Sequence, residues 1–231
     1  PWPELQPPVN LPNAITVGRI MVAPLIAALP FMTSTVARLA AFTIYVIAAI
    51  SDYFDGMLAR TRNLETDLGR LLDPLADKLL LIATLIPMYI LMAPQNDPFA
   101  ATPASLGAAH TFPFETPWGQ VGLAWWVVAV VIGRELFMTV FRHVAARKGV
   151  VIAAIGPAKW KTGFQSTWVG AAYFWFFAAT YAGSHGWDSS AWHSFAWFNG
   201  IVGVVTMIAA VFLTVYSLWL YIVRYGRVIT R

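Results

Sequence analysis

The sequence lacks cysteine altogether and is poor in charged residues. None of its 231 residues is Cys, which excludes disulfides and thiolate metal sites. Asp, Glu, Lys and Arg make up 11% of the chain, whereas soluble domains carry about 25%. The sequence also has no internal repeat and no alternating apolar–polar segments of the kind that a membrane β-barrel requires. These absences exclude an ordinary soluble domain and a barrel, and they leave a helical membrane protein.

The sequence contains several long apolar runs. Hydrophobic residues form 58% of the chain, and a helix needs about 20 of them to cross a bilayer. Six sufficiently long runs lie at 14–32, 36–59, 71–92, 118–140, 158–182 and 195–223. We therefore predict an all-α integral membrane protein with six transmembrane helices. A single domain is expected over 1–231, with the helical bundle at 14–224 and a short Pro-rich surface arm at 1–13.

Basic residues are unevenly distributed between the connections. The connections after the second and fourth runs and the C-terminus are rich in Lys and Arg, whereas 93–117 and 183–194 contain neither. Because cytoplasmic loops carry the excess of basic residues, both termini are predicted to be cytoplasmic. We interpret the many aromatic residues as interfacial belts, and expect membrane lipid but no nucleic acid as a partner.

Four aspartates lie close together on this predicted cytoplasmic side. Asp52 and Asp55 are near the end of the second run, and Asp73 and Asp77 are at the start of the third. Their spacings place each pair on one helix face, and a short connection lets the two faces converge. Close carboxylates either share protons or bind divalent cations, and oxygen-only ligands favour Mg²⁺ or Mn²⁺ over zinc. Because ionisable residues at membrane depth are costly, the cluster predicts a functional site, and a phosphate-bearing substrate suits it.

These aspartates belong to a longer pattern, Asp52-x2-Asp55-Gly56-x2-Ala59-Arg60-x8-Gly69-x3-Asp73-x3-Asp77. It resembles, without a gap or substitution, the signature of the CDP-alcohol phosphotransferase family. The resemblance implies a membrane enzyme that displaces CMP from a CDP-linked donor with the hydroxyl of an acceptor alcohol. It also implies a homodimer, and one or two Mg²⁺ or Mn²⁺ ions on the first three aspartates. The fourth, Asp77, is implied as general base and as a further metal ligand.

The small residues of the pattern are expected to line the donor site. The resemblance implies a cytidine pocket at Gly56, Ala59 and Gly69, and a diphosphate contact at Arg60. On the first run, Asn13 and Thr16 are predicted to close over the nucleotide, together with Arg19.

Two further segments indicate which alcohol is the acceptor. Residues 10–24 and 133–165 resemble the bacterial phosphatidylglycerophosphate synthases, which join CDP-diacylglycerol to glycerol 3-phosphate. The resemblance implies a bacterial inner membrane, and the predicted topology places the site on its cytoplasmic side. A phosphorylated acceptor needs a basic pocket, and the predicted acceptor-phosphate ligands are Arg134, Arg142, Lys159, Lys161, Thr162 and Gln165. A buried structural ion pair between Arg134 and Glu135 remains an equal alternative for Arg134.

Several other functions compete with this prediction. Within the family, a phosphatidylinositol-phosphate synthase also takes a phosphorylated acceptor, and a phosphatidylserine synthase fits less well. Membrane prenyltransferases hold Mg²⁺-diphosphate with Asp-rich helices, but they generally need more than six spans. A divalent-cation transporter is the more distant alternative, since it would place its acids nearer the bilayer midplane.

Overall fold

The computed structural model describes residues 11–62, 67–94, 96–99, 112–150, 152 and 156–230. This part of the chain is mostly helical, with one short β-hairpin. The helices are α1 Leu11–Ala28, α2 Thr35–Arg62, α3 Asp67–Met92, α4 Trp125–Arg147, α5 Gly156–His185 and α6 Ser190–Thr230, with a 3₁₀ turn at Leu29–Phe31. The strands are β1 Phe114–Thr116 and β2 Gly119–Val121. The prediction of a helical protein is confirmed in this coarse form, and α1 begins at Leu11, inside the segment predicted as an arm.

Four of the helices in the described ranges are long and apolar enough to cross a membrane. The qualifying segments are Asn13–Phe31, Thr35–Asp52, Leu72–Met92 and Ser190–Gly226. Pro24 lies inside the first of these helices and Pro74 and Pro87 inside the third, which membrane helices tolerate more often than soluble ones. The chain is therefore consistent with an all-α membrane protein. The count of six spans and the cytoplasmic termini stay predictions.

The chain divides into two compact units, Pro1–Pro87 and Met88–Arg231. In the first unit α1 packs against α2 and joins it through the 3₁₀ turn. In the second unit α6 is the central element, because α5, α4 and β1 all pack against it. The aspartates belong to the first unit and the segment 133–165 to the second.

The hairpin corrects the predicted start of the fourth helix. A span was expected from residue 118, but β1 pairs antiparallel with β2 from Phe114 to Val121, and α4 begins at Trp125. Thr116 Oγ1 donates to the Gly119 carbonyl at 2.6 Å. Gly119 has a φ of 122°, a conformation that residues with a Cβ rarely adopt. The turn is thus stabilised by Thr116 and Gly119, just before the apolar run of α4.

Two glycines of α6 pack against this hairpin. Small residues of this kind in an apolar helix favour close packing between helices. In the structure, a Cβ at Gly200 would overlap the backbone carbonyl of Glu115, and a Cβ at Gly203 would overlap the ring of Phe114. The element that approaches α6 closely at these glycines is therefore β1, not another helix.

Glycines also end two of the helices. Gly149 after α4 has a φ of 74°, and Gly186 after α5 has a φ of 63°. After α4, the Gly149 N–H donates to Ala146 O and the Val150 N–H to Ala145 O, at 3.0 and 2.9 Å. This is the Schellman arrangement, which satisfies the last carbonyls of a helix and requires a left-handed residue. These two ends define the connections on either side of α5.

Candidate functional site

Three polar residues form a buried stripe along α1. Asn13, Thr16 and Arg19 are 4%, 1% and 4% exposed, and their spacing of three residues places them on one helix face. A stripe of this kind in an apolar helix needs polar partners, because burying an unsatisfied polar or charged group is costly. For two of the three residues, those partners are aspartates of the predicted site.

Arg19 brings together carboxylates from two helices. Its Nη1 bonds to Asp52 Oδ1 on α2 and, at 3.2 Å, to Asp77 Oδ1 on α3. One turn earlier, Thr16 Oγ1 donates to Asp73 Oδ1 at 2.8 Å. The structure therefore places three of the four predicted aspartates against a single face of α1. The expected convergence of the α2 and α3 faces is observed for these three side chains.

The remaining residues of the signature are described less fully. The backbones of Asp55, Gly56, Ala59 and Arg60 lie within α2, but their side chains are outside the described part of the structure. Gly69 lies in the first turn of α3 and is buried. The structure therefore tests neither the Asp55 carboxylate nor the predicted diphosphate contact of Arg60.

The chemistry of the cluster suits a divalent cation. Its described acidic side chains carry three negative charges, and Arg19 supplies one positive charge. The side chains of Asp52 and Asp77 are 43% and 60% exposed, so the protein itself leaves their carboxylates open to a ligand. Hard oxygen ligands with excess negative charge are what Mg²⁺ and Mn²⁺ prefer. The donor set therefore suits such an ion by its chemistry, although among the described residues no three acidic or His side chains are placed together as metal ligands.

A second polar cluster lies in the other unit, around Glu135 on α4. Its Oε1 accepts from Arg134 Nη1 at 2.8 Å and also bonds to Lys161 Nζ on α5. Arg134 Nη2 donates to Ser217 Oγ on α6 at 3.2 Å. Arg134 and Lys161 are each 6% exposed. The ion pair considered for Arg134 is therefore present, and Lys161 shares it.

This cluster carries a net positive charge and unused hydrogen-bonding capacity. Two cations, Arg134 and Lys161, contact the one carboxylate, and the charge of the exposed Arg142 also acts on the Lys161 ammonium. Arg134 Nε and Gln165 Oε1 are buried and have no hydrogen-bond partner among the described residues. Buried polar atoms are normally satisfied, so the Arg134 N–H is available to an acceptor such as an anion, whereas Gln165 Oε1 needs a donor. Thr162 is exposed, and the Lys159 side chain is outside the described part.

The contacts that three of these residues make were not predicted from the sequence. Arg19 was placed near the nucleotide rather than between the aspartates, although a lone Arg in an apolar run is itself a signal of function. Glu135 was considered a partner of Arg134 but not of Lys161. Ser217 lies alone in a long apolar helix, 83 residues from Arg134, and no sequence signal indicates its contact.

Comparison with known proteins gives a family and several relatives. A family model described as CDP-alcohol phosphatidyltransferase matches residues 9–216, about nine-tenths of the chain. A CDP-diacylglycerol–glycerol-3-phosphate 3-phosphatidyltransferase of Rickettsia typhi is 48% identical over 71 residues, 31% of this chain and 40% of the relative. A probable phosphatidylglycerophosphate synthase of Mycobacterium tuberculosis is 32% identical over 164 residues, 70% of this chain and 64% of the relative.

A plant relative carries a different name. A cardiolipin synthase (CMP-forming) of Oryza sativa is 31% identical over 175 residues, 71% of this chain and 46% of the relative. The chain thus spans less than two-thirds of the length of each of these three relatives.

Proposed function

The chain belongs to the CDP-alcohol phosphatidyltransferase family, and on that premise we propose that it transfers the phosphatidyl group of CDP-diacylglycerol to glycerol 3-phosphate. The products are CMP and phosphatidylglycerophosphate. The observation that carries the proposal is the meeting of three signature carboxylates on one face of α1. The names of two relatives support the choice of substrates.

The aspartates are proposed to hold the donor. Asp52, Asp55, Asp73 and Asp77 would bind one or two Mg²⁺ or Mn²⁺ ions, which neutralise charge on the donor's diphosphate and on the departing CMP. Thr16 fixes one carboxylate oxygen of Asp73 through its hydroxyl. The donor site would be completed by Asn13, Gly56, Ala59, Arg60 and Gly69.

Asp77 is proposed as the general base. Its carboxylate takes the proton of the primary hydroxyl of the acceptor, and the oxygen attacks the donor phosphorus that carries diacylglycerol. A new P–O bond forms while the P–O bond to the CMP phosphate breaks, and CMP leaves with the electron pair. The carboxylate is 60% exposed, so an acceptor from solution can reach it.

The basic cluster is proposed to bind the acceptor phosphate. Arg134, Lys161 and Arg142 outweigh the single charge of Glu135, and a guanidinium is well matched to phosphate oxygens. Lys159, Thr162 and Gln165 complete the proposed set. An acceptor without a phosphate would have no phosphate group to pair with this excess positive charge.

The setting of the reaction is proposed in the same way. We expect a bacterial inner membrane, six spans, cytoplasmic termini, a site that opens to the cytoplasm, and a homodimer. Four apolar helices support a membrane location, and the bacterial origin of two relatives supports a bacterial membrane.

The deciding experiment measures CMP release by the purified protein with CDP-diacylglycerol and Mg²⁺. The acceptor panel contains glycerol 3-phosphate, inositol 1-phosphate, serine and no acceptor, together with phosphatidylglycerol because one relative is named a cardiolipin synthase. Release that requires glycerol 3-phosphate supports the proposal. Release with a different acceptor keeps the family and overturns the substrate. Failure with every acceptor, by folded and metal-supplemented protein, overturns the activity.

A further inference from the structure

The Arg19 guanidinium contacts two of the carboxylates that the proposed function assigns to the metal. Its side chain is 3% exposed, and one nitrogen contacts carboxylate oxygens of both Asp52 and Asp77. These oxygens come from two different helices, so Arg19 links α2 to α3 through α1. Both aspartates are among those proposed to hold metal.

A divalent ion and this guanidinium need the same oxygens. An oxygen that accepts a charged hydrogen bond from Arg19 has less electron density to offer a metal, and the positive charge of Arg19 repels a second cation. We infer that Arg19 competes with the divalent metal for Asp52 and Asp77, and releases these carboxylates when the diphosphate of the donor binds. This inference rests on the proposed function.

The guanidinium suits such an exchange of partners. It presents five N–H donors in a rigid fork that matches phosphate as well as carboxylate. A diphosphate therefore replaces the ion pairs that Arg19 gives up, and the freed oxygens become available to the metal. Metal and donor then bind with positive coupling, and by linkage each raises the affinity for the other by the same factor.

The test measures Mn²⁺ binding to the full chain in detergent by electron paramagnetic resonance, with and without CDP-diacylglycerol. Wild type should bind Mn²⁺ weakly alone and more tightly with the donor. Arg19→Gln should bind Mn²⁺ alone more tightly than wild type, on the order of tenfold, which is within the usual range for coupled sites. The donor should improve Mn²⁺ binding less in this variant than in wild type.

Arg38→Gln is the matched control. Arg38 is another buried arginine of the same unit, with Nε donating to the Pro30 carbonyl at 3.1 Å. It lies about 21 Å along α2 from Asp52, at 1.5 Å per residue. Its removal should leave Mn²⁺ affinity unchanged, whereas an increase equal to that of Arg19→Gln would show a general effect of charge and overturn the inference.

The remaining outcomes separate the inference from the proposed function. If wild type binds no Mn²⁺ even with the donor, the proposed function itself fails. If wild type binds Mn²⁺ with the donor but Arg19→Gln binds it alone no more tightly than wild type, the inference fails and the function stands. Arg19→Lys keeps the charge with fewer donors and should be intermediate. It provides the test if Arg19→Gln does not fold, and wild-type affinity would then overturn the inference.

Discussion

Asp77 and Asp52 share one arginine but differ in exposure, at 60% and 43%. The more accessible carboxylate is the one proposed to take the acceptor proton. Replacing Asp77 with Asn removes the base while keeping the size of the side chain. We expect the CMP-release rate to fall by roughly 10²–10⁴, the usual contribution of a positioned base. Asp188→Asn, which alters an exposed carboxylate paired with His193, should keep the wild-type rate. Equal rates in both variants would contradict the role of Asp77.

Glu135 is the anionic partner of two buried cations, so its substitution should lower the stability of the protein. In Glu135→Gln, Lys161 and Arg134 lose their shared anionic partner. We expect the free energy of unfolding to fall by about 2 kcal/mol, because Glu135 is 28% exposed and the pair is only partly desolvated. Chemical denaturation in detergent measures this change.

A double-mutant cycle tests whether the loss comes from unpaired charge. Lys161→Met added to Glu135→Gln removes one of the stranded cations, so the double variant should be more stable than the sum of the two single losses predicts. Simple additivity of the single effects would show that the ion pair contributes nothing.

The packing of β1 on α6 depends on the absence of a side chain at Gly200. An Ala there has to displace the backbone of Glu115, and overpacking of this kind costs about 1–3 kcal/mol. Gly163→Ala in α5 is the comparison, because its Cβ meets nothing within 4 Å. It should be neutral or stabilising by up to about 1 kcal/mol, since Gly is a poor helix former. Thermal unfolding of both variants tests these two predictions. Equal melting temperatures would contradict the close packing of β1 on α6.

Asp97 caps the start of α4, 28 residues further along the chain. Its carboxylate accepts from the Phe99 and Trp125 N–H groups at 3.0 and 2.9 Å, and from the Tyr89 hydroxyl at 3.2 Å. Desolvation raises the pKa of Asp97, but these three hydrogen bonds outweigh it and hold the pKa below its ordinary value. The ionised carboxylate therefore stabilises the fold above about pH 4, the ordinary pKa, and this contribution is lost as the pH falls through the lowered value.

Asp97→Asn should lower the melting temperature at pH 7. At pH values below the lowered pKa, wild type and variant should converge, because wild-type Asp97 is then also uncharged. Thermal unfolding measured from pH 7 down to the acid limit of the folded protein checks the sign. A difference that stays constant over this range would contradict the role of the charge.

At the scale of the whole molecule, the six-span topology depends on whether α5 crosses the membrane. It lies outside the four segments that qualify by length and hydropathy among the described residues, yet six spans require it to cross the membrane. The chain has no cysteine, so a single introduced thiol can be labelled without background. Lys148 and Ser189 are exposed in the connections before and after α5.

We expect an impermeant maleimide to label Ser189→Cys in intact cells and Lys148→Cys only after permeabilisation. The unmodified chain should show no labelling in either condition. Labelling of both thiols in intact cells would place the two connections on the same side and contradict the six-span topology.

The elements that the sequence predicted best are those defined by local spacing. An apolar run and a helical repeat are properties of neighbouring residues, so α1, α2, α3 and α6 and the shared face of Asp73 and Asp77 follow from them. The hairpin at Phe114–Val121 was missed because its second strand is followed closely by the long apolar run of α4, which gives no sign of where the helix begins. Its turn depends on two residues, Thr116 and Gly119, which composition does not reveal.

The family and its signature could be recognised from the sequence alone. The chemistry requires particular residue types at fixed helical spacings, and such a pattern is visible in the order of the residues. The partners of each charge could not be read in this way. Arg19 meets Asp52 across 33 residues, and Lys161 meets Glu135 across 26. Such pairs form where separate helices approach closely, and which cation neutralises which carboxylate depends on packing that involves the whole of each unit.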